Sequence, residues 1–128
     1  MSKFVFIMQH QPTTEQIAAA REVGREVIEL ADKKLLAVPD DAGLTHDWFI
    51  QRAAAILAAV GGVSTGDTVH AMGQPQLANA VNAKARWAGA TLVESVTVRE
   101  SVDEPQPDGT VKKTAVFRFR GFRSVYEF

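Results

Sequence analysis

Hydrophobic and polar positions change their spacing along the chain, and these changes predict alternating strands and helices. Residues 3–8, KFVFIM, form an almost unbroken apolar run that indicates a buried strand. Residues 13–31 repeat apolar positions at helical spacing, and Thr13 with Gln16 matches the capping box that starts many helices. The same criteria predict further helices over residues 45–62 and 75–90, and further strands over residues 34–39, 67–73, 91–101 and 114–128.

The predicted order, β-α-β-α-β-α-β-β, restricts the fold. Strands separated by helices fold into a parallel sheet with helices on both faces. The last two strands are joined by the polar turn PQPDG, which predicts an antiparallel pair. We therefore predict an α/β fold, a three-layer Rossmann-like sandwich that forms a single domain over residues 1–128. Its sheet is expected to be mostly parallel, with a C-terminal antiparallel hairpin.

Two loops of this fold are candidates for a ligand site. Ligands of such sheets bind outside the carboxyl ends of the strands, and the loops there are MQHQPTT after the first strand and MGQPQ after the third. In the second loop, Gly73 suggests a close approach of the backbone, and the helix that opens at Pro75 has no Ser, Thr, Asp or Asn before it. The N–H groups of Gln76 and Leu77 are then expected to bind an anion, with Gln74 and Gln76 adding neutral donors. A tight turn capped by water or by its own glutamine is the alternative.

The first loop places His10 directly after a strand end, beside Gln11 and two threonines. There the imidazole would donate to a phosphate or act as an acid or base, and a solvated loop histidine is the alternative. Thr13 fits a helix cap better than a ligand contact, whereas the hydroxyl of Thr14 would point into the site. His70 lies in the middle of a strand, which predicts a hydrogen-bonded core or interface residue.

The motif FRFRGFR near the C-terminus contains the most concentrated positive charge in the chain. Arg118 and Arg120 are two residues apart, so they share one face of a strand, and Arg123 follows closely. The alternative is a charged strand edge that prevents mispairing with other sheets.

Composition narrows the possible chemistry. The 128 residues include 14 basic and 15 acidic side chains, a net charge of −1, and no cysteine. This balance creates no field that would attract duplex DNA or an anionic membrane, so an anion site must be local. The absence of cysteine excludes disulfides, cysteine-ligated zinc and a thiol nucleophile, and it suits a cytoplasmic protein. Because no metal, Walker-loop or paired-carboxylate motif is present, we expect no cofactor.

Three segments, FVFIMQHQPTTEQ, GDTVHAMGQPQLANAV and VKKTAVFRFRGFRSVYEF, together resemble the small Rossmann-like ring nucleases of type III CRISPR systems. The likeness spans nearly the whole chain. It implies a metal-independent enzyme that cleaves a cyclic oligoadenylate, with cyclic tetra-adenylate expected, by attack of a ribose 2′-hydroxyl on the adjacent phosphodiester. The linear products would end in a 2′,3′-cyclic phosphate, and their formation would switch off type III CRISPR signalling. The resemblance also implies a homodimer. The family carries an acidic residue after the glycine of the second loop, whereas Gln74 cannot act as a base.

The resemblance and the residues together define one set of candidate site residues. The expected catalytic residues are His10, Arg118 and Arg120. The expected substrate-binding residues are Gln11, Thr13, Thr14, Gly73, Gln74, Gln76 and Arg123. Two other functions stay open at this point: a protein that binds the ring without cutting it, and an interaction module that docks another protein through its arginine edge.

Overall fold

A computed structural model describes residues 2–24 and 26–128 and shows a five-stranded sheet packed against helices. The elements in chain order are β1 (Lys3–Ile7), α1 (Thr14–Val23), β2 (Glu26–Glu29), a short 3-10 helix (Lys33–Leu36), α2 (His46–Ala59), β3 (Thr68–Ala71), α3 (Pro75–Trp87), β4 (Thr91–Pro105) and β5 (Val111–Ser124).

The sheet has the strand order β2-β1-β3-β4-β5. β1 pairs in parallel with β2 and β3, β3 pairs in parallel with β4, and β4 pairs antiparallel with β5. The predicted α/β fold with a mostly parallel sheet and a C-terminal antiparallel pair is therefore confirmed.

The first helix is shorter than predicted. α1 ends at Val23, β2 follows shortly after it, and the prediction of one helix over residues 13–31 is therefore wrong. Residue 25 lies outside the described residues. A Cβ on Gly24 would lie 2.8 Å from the backbone nitrogen of Phe4, so the chain passes β1 at a distance that only glycine permits. The apolar residues of β2 are Val27 and Ile28, and Val27 follows Val23 at helical spacing. The hydrophobic pattern therefore fits a continued helix as well as a short strand.

The strand predicted over residues 34–39 is also wrong. Lys33–Leu36 forms a 3-10 helix, and the side chain of Asp32 caps it by accepting from the backbone N–H of Lys34 at 3.2 Å. Leu36 is buried in the core, so this short apolar run packs from a helical turn rather than from the sheet. Periodicity alone does not separate these two cases over so few residues.

Side chains of β1 are buried on both faces of the sheet. Phe4 and Phe6 belong to one apolar cluster, which also contains Ala20 of α1. Val5 and Ile7 point the other way, into a larger cluster that contains buried residues of α2 and α3. Burying each of these large side chains contributes about 1.5–3 kcal/mol, so β1 anchors both clusters.

β4 and β5 continue beyond the rest of the sheet. β3 pairs with β4 only as far as Val93, whereas the β4–β5 pairing runs on to Pro105 opposite Val111. Because β4 is parallel to β1 and β3, this extension projects from the carboxyl edge of the sheet. We call residues 94–123 the arm. At about 3.4 Å per residue, the arm reaches roughly 40 Å beyond Val93.

Within residues 2–24 and 26–128, none of the helices combines the length and the apolar character needed to cross a lipid bilayer.

Candidate functional site

The two candidate loops leave the sheet side by side. β1 and β3 are adjacent and parallel, and the backbone N–H of Met72 donates to the carbonyl of Ile7 at 2.8 Å. From there the chain continues through α1 on one face to β2, and through α3 on the other face to β4. Such a divergence is a topological switch point, where open α/β sheets bind ligands. We call the space between the loops of residues 8–13 and 72–74 the crevice.

Helix α3 starts at this edge and is capped by an unusual residue. The Oε1 of Gln74 accepts from the backbone N–H of Leu77 at 2.9 Å, and Pro75 has no N–H to satisfy. The expectation that the N–H of Leu77 is available to an anion is therefore wrong, and the alternative of capping by a glutamine is confirmed. Gly73 has φ 139°, and a Cβ at this position would meet no atom of the described residues within 4 Å. The turn, not a close approach, therefore requires glycine.

Helix α1 starts at the same edge and is capped as predicted. The Oγ1 of Thr13 accepts from the backbone N–H of Gln16 at 3.1 Å, and the Oε1 of Gln16 accepts from the backbone N–H of Thr13 at 2.9 Å. The hydroxyl of Thr13 is thus engaged within the protein, whereas Thr14 is exposed in the first turn. In both helices the chain's own side chains occupy the amide of the third helical residue.

Gln16 also extends a buried polar chain into the sheet. Because its Oε1 accepts from Thr13, its Nε2 is the atom that donates to Ser95 Oγ, at 3.0 Å. Ser95 Oγ in turn lies 2.7 Å from Nε2 of His70. This chain of hydrogen bonds connects α1, β4 and β3.

His70 is a core residue, as the sequence predicted. Its side chain is fully buried, and its ring contacts Phe6 and Phe122 with centroid distances of 5.3 and 5.7 Å. Burial lowers the pKa of His70, and the residue's own backbone and the carboxylate of Glu94 act in the opposite direction. Its Nδ1 has no hydrogen-bond partner among the described residues. Burial within aromatic packing therefore favours the neutral imidazole.

The loop after β1 presents its polar side chains to solvent. Gln9, His10 and Gln11 are all exposed. Lys33 Nζ donates to the carbonyl of Met8 at 2.7 Å, which brings a positive charge to the start of this loop. Sequence reasoning missed this lysine, because its position depends on the pairing of β2 with β1. Its charge makes the edge of the crevice more favourable for an anion.

The motif FRFRGFR contains a β-bulge that sorts its side chains onto two faces. The β4–β5 register shifts between Val96 and Thr97, opposite Gly121, whose φ is 130°. With strict alternation, Arg123 would lie on the face opposite to Arg118 and Arg120. The extra residue changes the alternation, so that the three arginines share one face, the arginine face, and Phe117, Phe119 and Phe122 share the other.

Each arginine of this face contacts a glutamate of β4. Arg118 Nε lies 2.6 Å from Oε2 of Glu100, and Arg120 Nη2 lies 2.7 Å from Oε1 of the same carboxylate. Arg123 Nε lies 3.2 Å from Oε2 of Glu94. Sequence reasoning missed both glutamates, although counting back from the PQPDG turn predicts that β4 carboxylates lie across from β5.

The structure brings only part of the predicted site together within one chain. The loops that carry His10 and Gln74 flank the crevice, and Arg123 lies opposite Glu94, one residue beyond the last β3–β4 pair. Arg118 lies opposite Val98, five residues further along β4 than Val93. At about 3.4 Å per residue this separation is roughly 17 Å. Arg118 and Arg120 are therefore out along the arm, beyond the crevice of their own chain.

Two concave surfaces border the two ends of α3, one very small and one mainly apolar. The cavity bordered by Met72, Gly73 and Gln74 has a volume of only about 10 Å³, so a ligand of the crevice would lie on an open surface. A groove of about 640 Å³ lies between α2 and α3, and it is lined mainly by alanines and other apolar side chains, with the exposed Trp87 at its rim. This groove is at the opposite end of α3 and offers one charged side chain, Lys84.

Among the described residues there is no group of three or more His, Asp or Glu side chains that could hold a metal ion. No curated protein and no solved structure matches the chain. The match that identifies it covers residues 2–123, which include the crevice and the whole arm, and by this match the chain belongs to the uncharacterized protein MJ1673 family.

Proposed function

We propose that this chain is a ring nuclease that binds a cyclic oligoadenylate, with cyclic tetra-adenylate the preferred ring, and cleaves it without a metal ion. The single observation that carries the proposal is the switch point between β1 and β3. There the loops of His10 and Gln74 open at the edge from which the arginine-bearing arm projects. We further propose that the domain is a three-layer Rossmann-like sandwich, with α1 on one face and α2 and α3 on the other.

The reaction requires positioning rather than a protein nucleophile. The ribose 2′-oxygen bonds to the adjacent phosphorus while the bond from phosphorus to the 5′-oxygen breaks. The 2′-hydroxyl proton leaves, and the 5′-oxygen gains a proton. The products are a 2′,3′-cyclic phosphate and a 5′-hydroxyl. Aligning the attacking and leaving oxygens lowers the barrier by several kcal/mol, and His10 is placed to carry a proton.

Side chains take the place of helix amides in this proposal. Thr13 and Gln74 already cap α1 and α3, so the donors to the phosphate would be the exposed side chains of Gln11, Thr14 and Gln76, together with Arg123. Neutral donors and an arginine stabilise the extra charge of the transition state, and each well-placed donor contributes about 2.7–4 kcal/mol.

We also propose that the enzyme is a homodimer that acts in the cytoplasm. A ring with rotational symmetry fits a two-fold axis, which would place two crevices around one ligand. Arg118 and Arg120 lie out along the arm, beyond the crevice of their own chain. In a dimer they could contact a ligand bound in the crevice of the second copy. We propose no duplex DNA or membrane partner, because the net charge is close to zero.

A second candidate function is sequestration of the ring without cleavage. It is favoured by the ion pairs of the arm, since Glu100 and Glu94 already neutralise most of the arginine charge. A site of this kind would bind the ring and would supply little stabilisation to the transition state.

The test is incubation of the purified chain with labelled cyclic tetra-adenylate in excess chelator, followed by separation of the products. Conversion to linear species with a 2′,3′-cyclic phosphate supports the ring nuclease. Retention of the intact ring on the protein supports sequestration. If the ring is neither cleaved nor retained, the interaction module remains as the alternative function, and the nuclease proposal is abandoned.

A further inference from the structure

One carboxylate on the arm is held by two arginines at once. Its two oxygens have different partners: Oε2 of Glu100 faces Nε of Arg118 at 2.6 Å, and Oε1 faces Nη2 of Arg120 at 2.7 Å. Guanidinium groups bind carboxylate and phosphate oxygens with the same geometry and with charge-assisted hydrogen bonds. The oxygens of Glu100 therefore occupy the positions that two oxygens of a bound phosphate would take.

The arrangement is open to solvent. The side chains of Arg118 and Arg120 are each 57% exposed and that of Glu100 is 35% exposed, so an external anion can reach both arginines. Ion pairs at exposed sites contribute little to stability, because water and salt screen them. Glu100 is thus held weakly enough to be exchanged.

The charge of the arginine face depends on whether Glu100 stays in place. Arg118, Arg120 and Glu100 together carry a net charge of +1, whereas the two arginines alone carry +2. Arg123 is neutralised separately by Glu94. Displacement of Glu100 would therefore double the local positive charge at the moment that an anion arrives.

We propose that Arg118 and Arg120 form a phosphate site that Glu100 occupies in the absence of ligand, so that Glu100 is an internal competitor that sets the affinity of the arm for anions. The inference rests on the proposed function only for the identity of the ligand, an adenylate phosphate. The β-bulge at Gly121 contributes to this site, because it places Arg123 on the arginine face, where Glu94 neutralises its charge.

The test measures binding of inorganic tripolyphosphate. Binding of this probe can be detected whether or not the chain has ring nuclease activity. In titration calorimetry at low salt, Glu100→Gln is expected to bind tripolyphosphate about tenfold more tightly than the wild type, because an uncharged amide competes poorly for guanidinium. Glu104→Gln is the matched control. It removes one negative charge from the same strand and face, where the partner is the hydroxyl of Thr114, and it should leave the affinity unchanged within about twofold.

Two further measurements separate the proposal from a purely structural ion pair. Adding Arg118→Ala and Arg120→Ala to Glu100→Gln should abolish the gain in affinity. In the unaltered protein, NMR signals of the Nε–H groups of Arg118 and Arg120 should move together during the titration, a readout that does not depend on any variant folding. Equal or weaker binding by folded Glu100→Gln, or arginine signals that do not move at saturation, would overturn the proposal.

Failure of the proposed function would look different. A chain that does not cleave or retain cyclic tetra-adenylate, but whose Glu100→Gln variant gains affinity for tripolyphosphate, keeps the phosphate site and loses the ring nuclease. Cleavage without any such gain has the opposite meaning, because the ring nuclease stands and the role of Glu100 is overturned.

Discussion

Gln16 joins the start of α1 to the sheet, because its Nε2 donates to Ser95 Oγ at 3.0 Å while its Oε1 accepts from the backbone of Thr13. One side chain thus completes a helix cap and anchors the loop that carries His10. The buried polar chain that begins here continues to His70, so the position of the loop depends on three elements of the fold.

The first prediction concerns this anchor. Gln16→Ala removes one of the two bonds of the capping box, because the backbone N–H of Thr13 loses its acceptor, and it removes the donor that α1 offers to Ser95 Oγ. The free energy of unfolding should therefore fall by about 1–3 kcal/mol. Urea denaturation measures this change. Gln51→Ala is the control, because Gln51 is exposed and its amide donates to Asp47 on the same helix. A similar loss in both variants would show that Gln16 has no special structural role.

The second prediction concerns the pH dependence of stability. Burial lowers the pKa of His70 below its ordinary value of 6.5, so the unfolded chain takes up this proton at a higher pH than the folded chain. The free energy of unfolding should be highest above about pH 6.5 and should decrease as the pH falls below it. His70→Gln should flatten this decrease, and His46→Gln, at an exposed helix start, should not. Denaturation midpoints on both sides of neutral pH provide the measurement, and an unchanged slope in His70→Gln would contradict it.

The third prediction concerns the bulge of the arm. Gly121 has φ 130°, a conformation that other residues rarely adopt, so Gly121→Ala should cost about 1–3 kcal/mol or force the bulge to rearrange. A rearranged strand would move Arg123 away from Glu94, and tripolyphosphate binding should change together with stability. Ala115→Val, on the exposed arm away from the bulge, is the control. If Gly121→Ala has the same free energy of unfolding and the same affinity for tripolyphosphate as the wild type, the bulge does not arrange the arginines.

The fourth prediction concerns the cap of α3. Gln74→Ala leaves the N–H of Leu77 without its acceptor and should lower the free energy of unfolding by about 0.5–2 kcal/mol, whereas Gln74→Asp should restore most of it. Gln76→Ala should have little effect on stability, because its side chain is exposed, and under the proposed function it should weaken ring binding. Thermal denaturation of the three variants checks the order.

The fifth prediction depends on the proposed reaction. His10→Ala and Arg118→Ala should slow cleavage of cyclic tetra-adenylate by about 100-fold or more while weakening binding far less, because proton transfer and charge stabilisation act on the transition state. Lys84→Ala, at the opposite end of α3, should change neither quantity. Single-turnover kinetics of the folded variants separate the two effects, and an equal change in rate in all three variants would contradict the assigned roles.

The sequence alone determined β1, the order of the elements from α2 onwards, the capping box at Thr13 and the antiparallel pair at the C-terminus, because these features depend on local spacing and turn chemistry. It also placed both candidate loops at one edge, since parallel strands end together. It did not determine whether residues 26–29 are helix or strand, because that choice depends on the close passage of Gly24 against Phe4.

The tertiary structure decided the character of the site. The glutamine at position 74 acts as a cap because its own helix lacks a better one, and only its contact with Leu77 shows this. The face of each arginine depends on one inserted residue near Gly121, and the pairing of Glu100 with Arg118 depends on strand register. Register and close packing are long-range properties, because residues distant in the chain set them together, and a local pattern does not contain them.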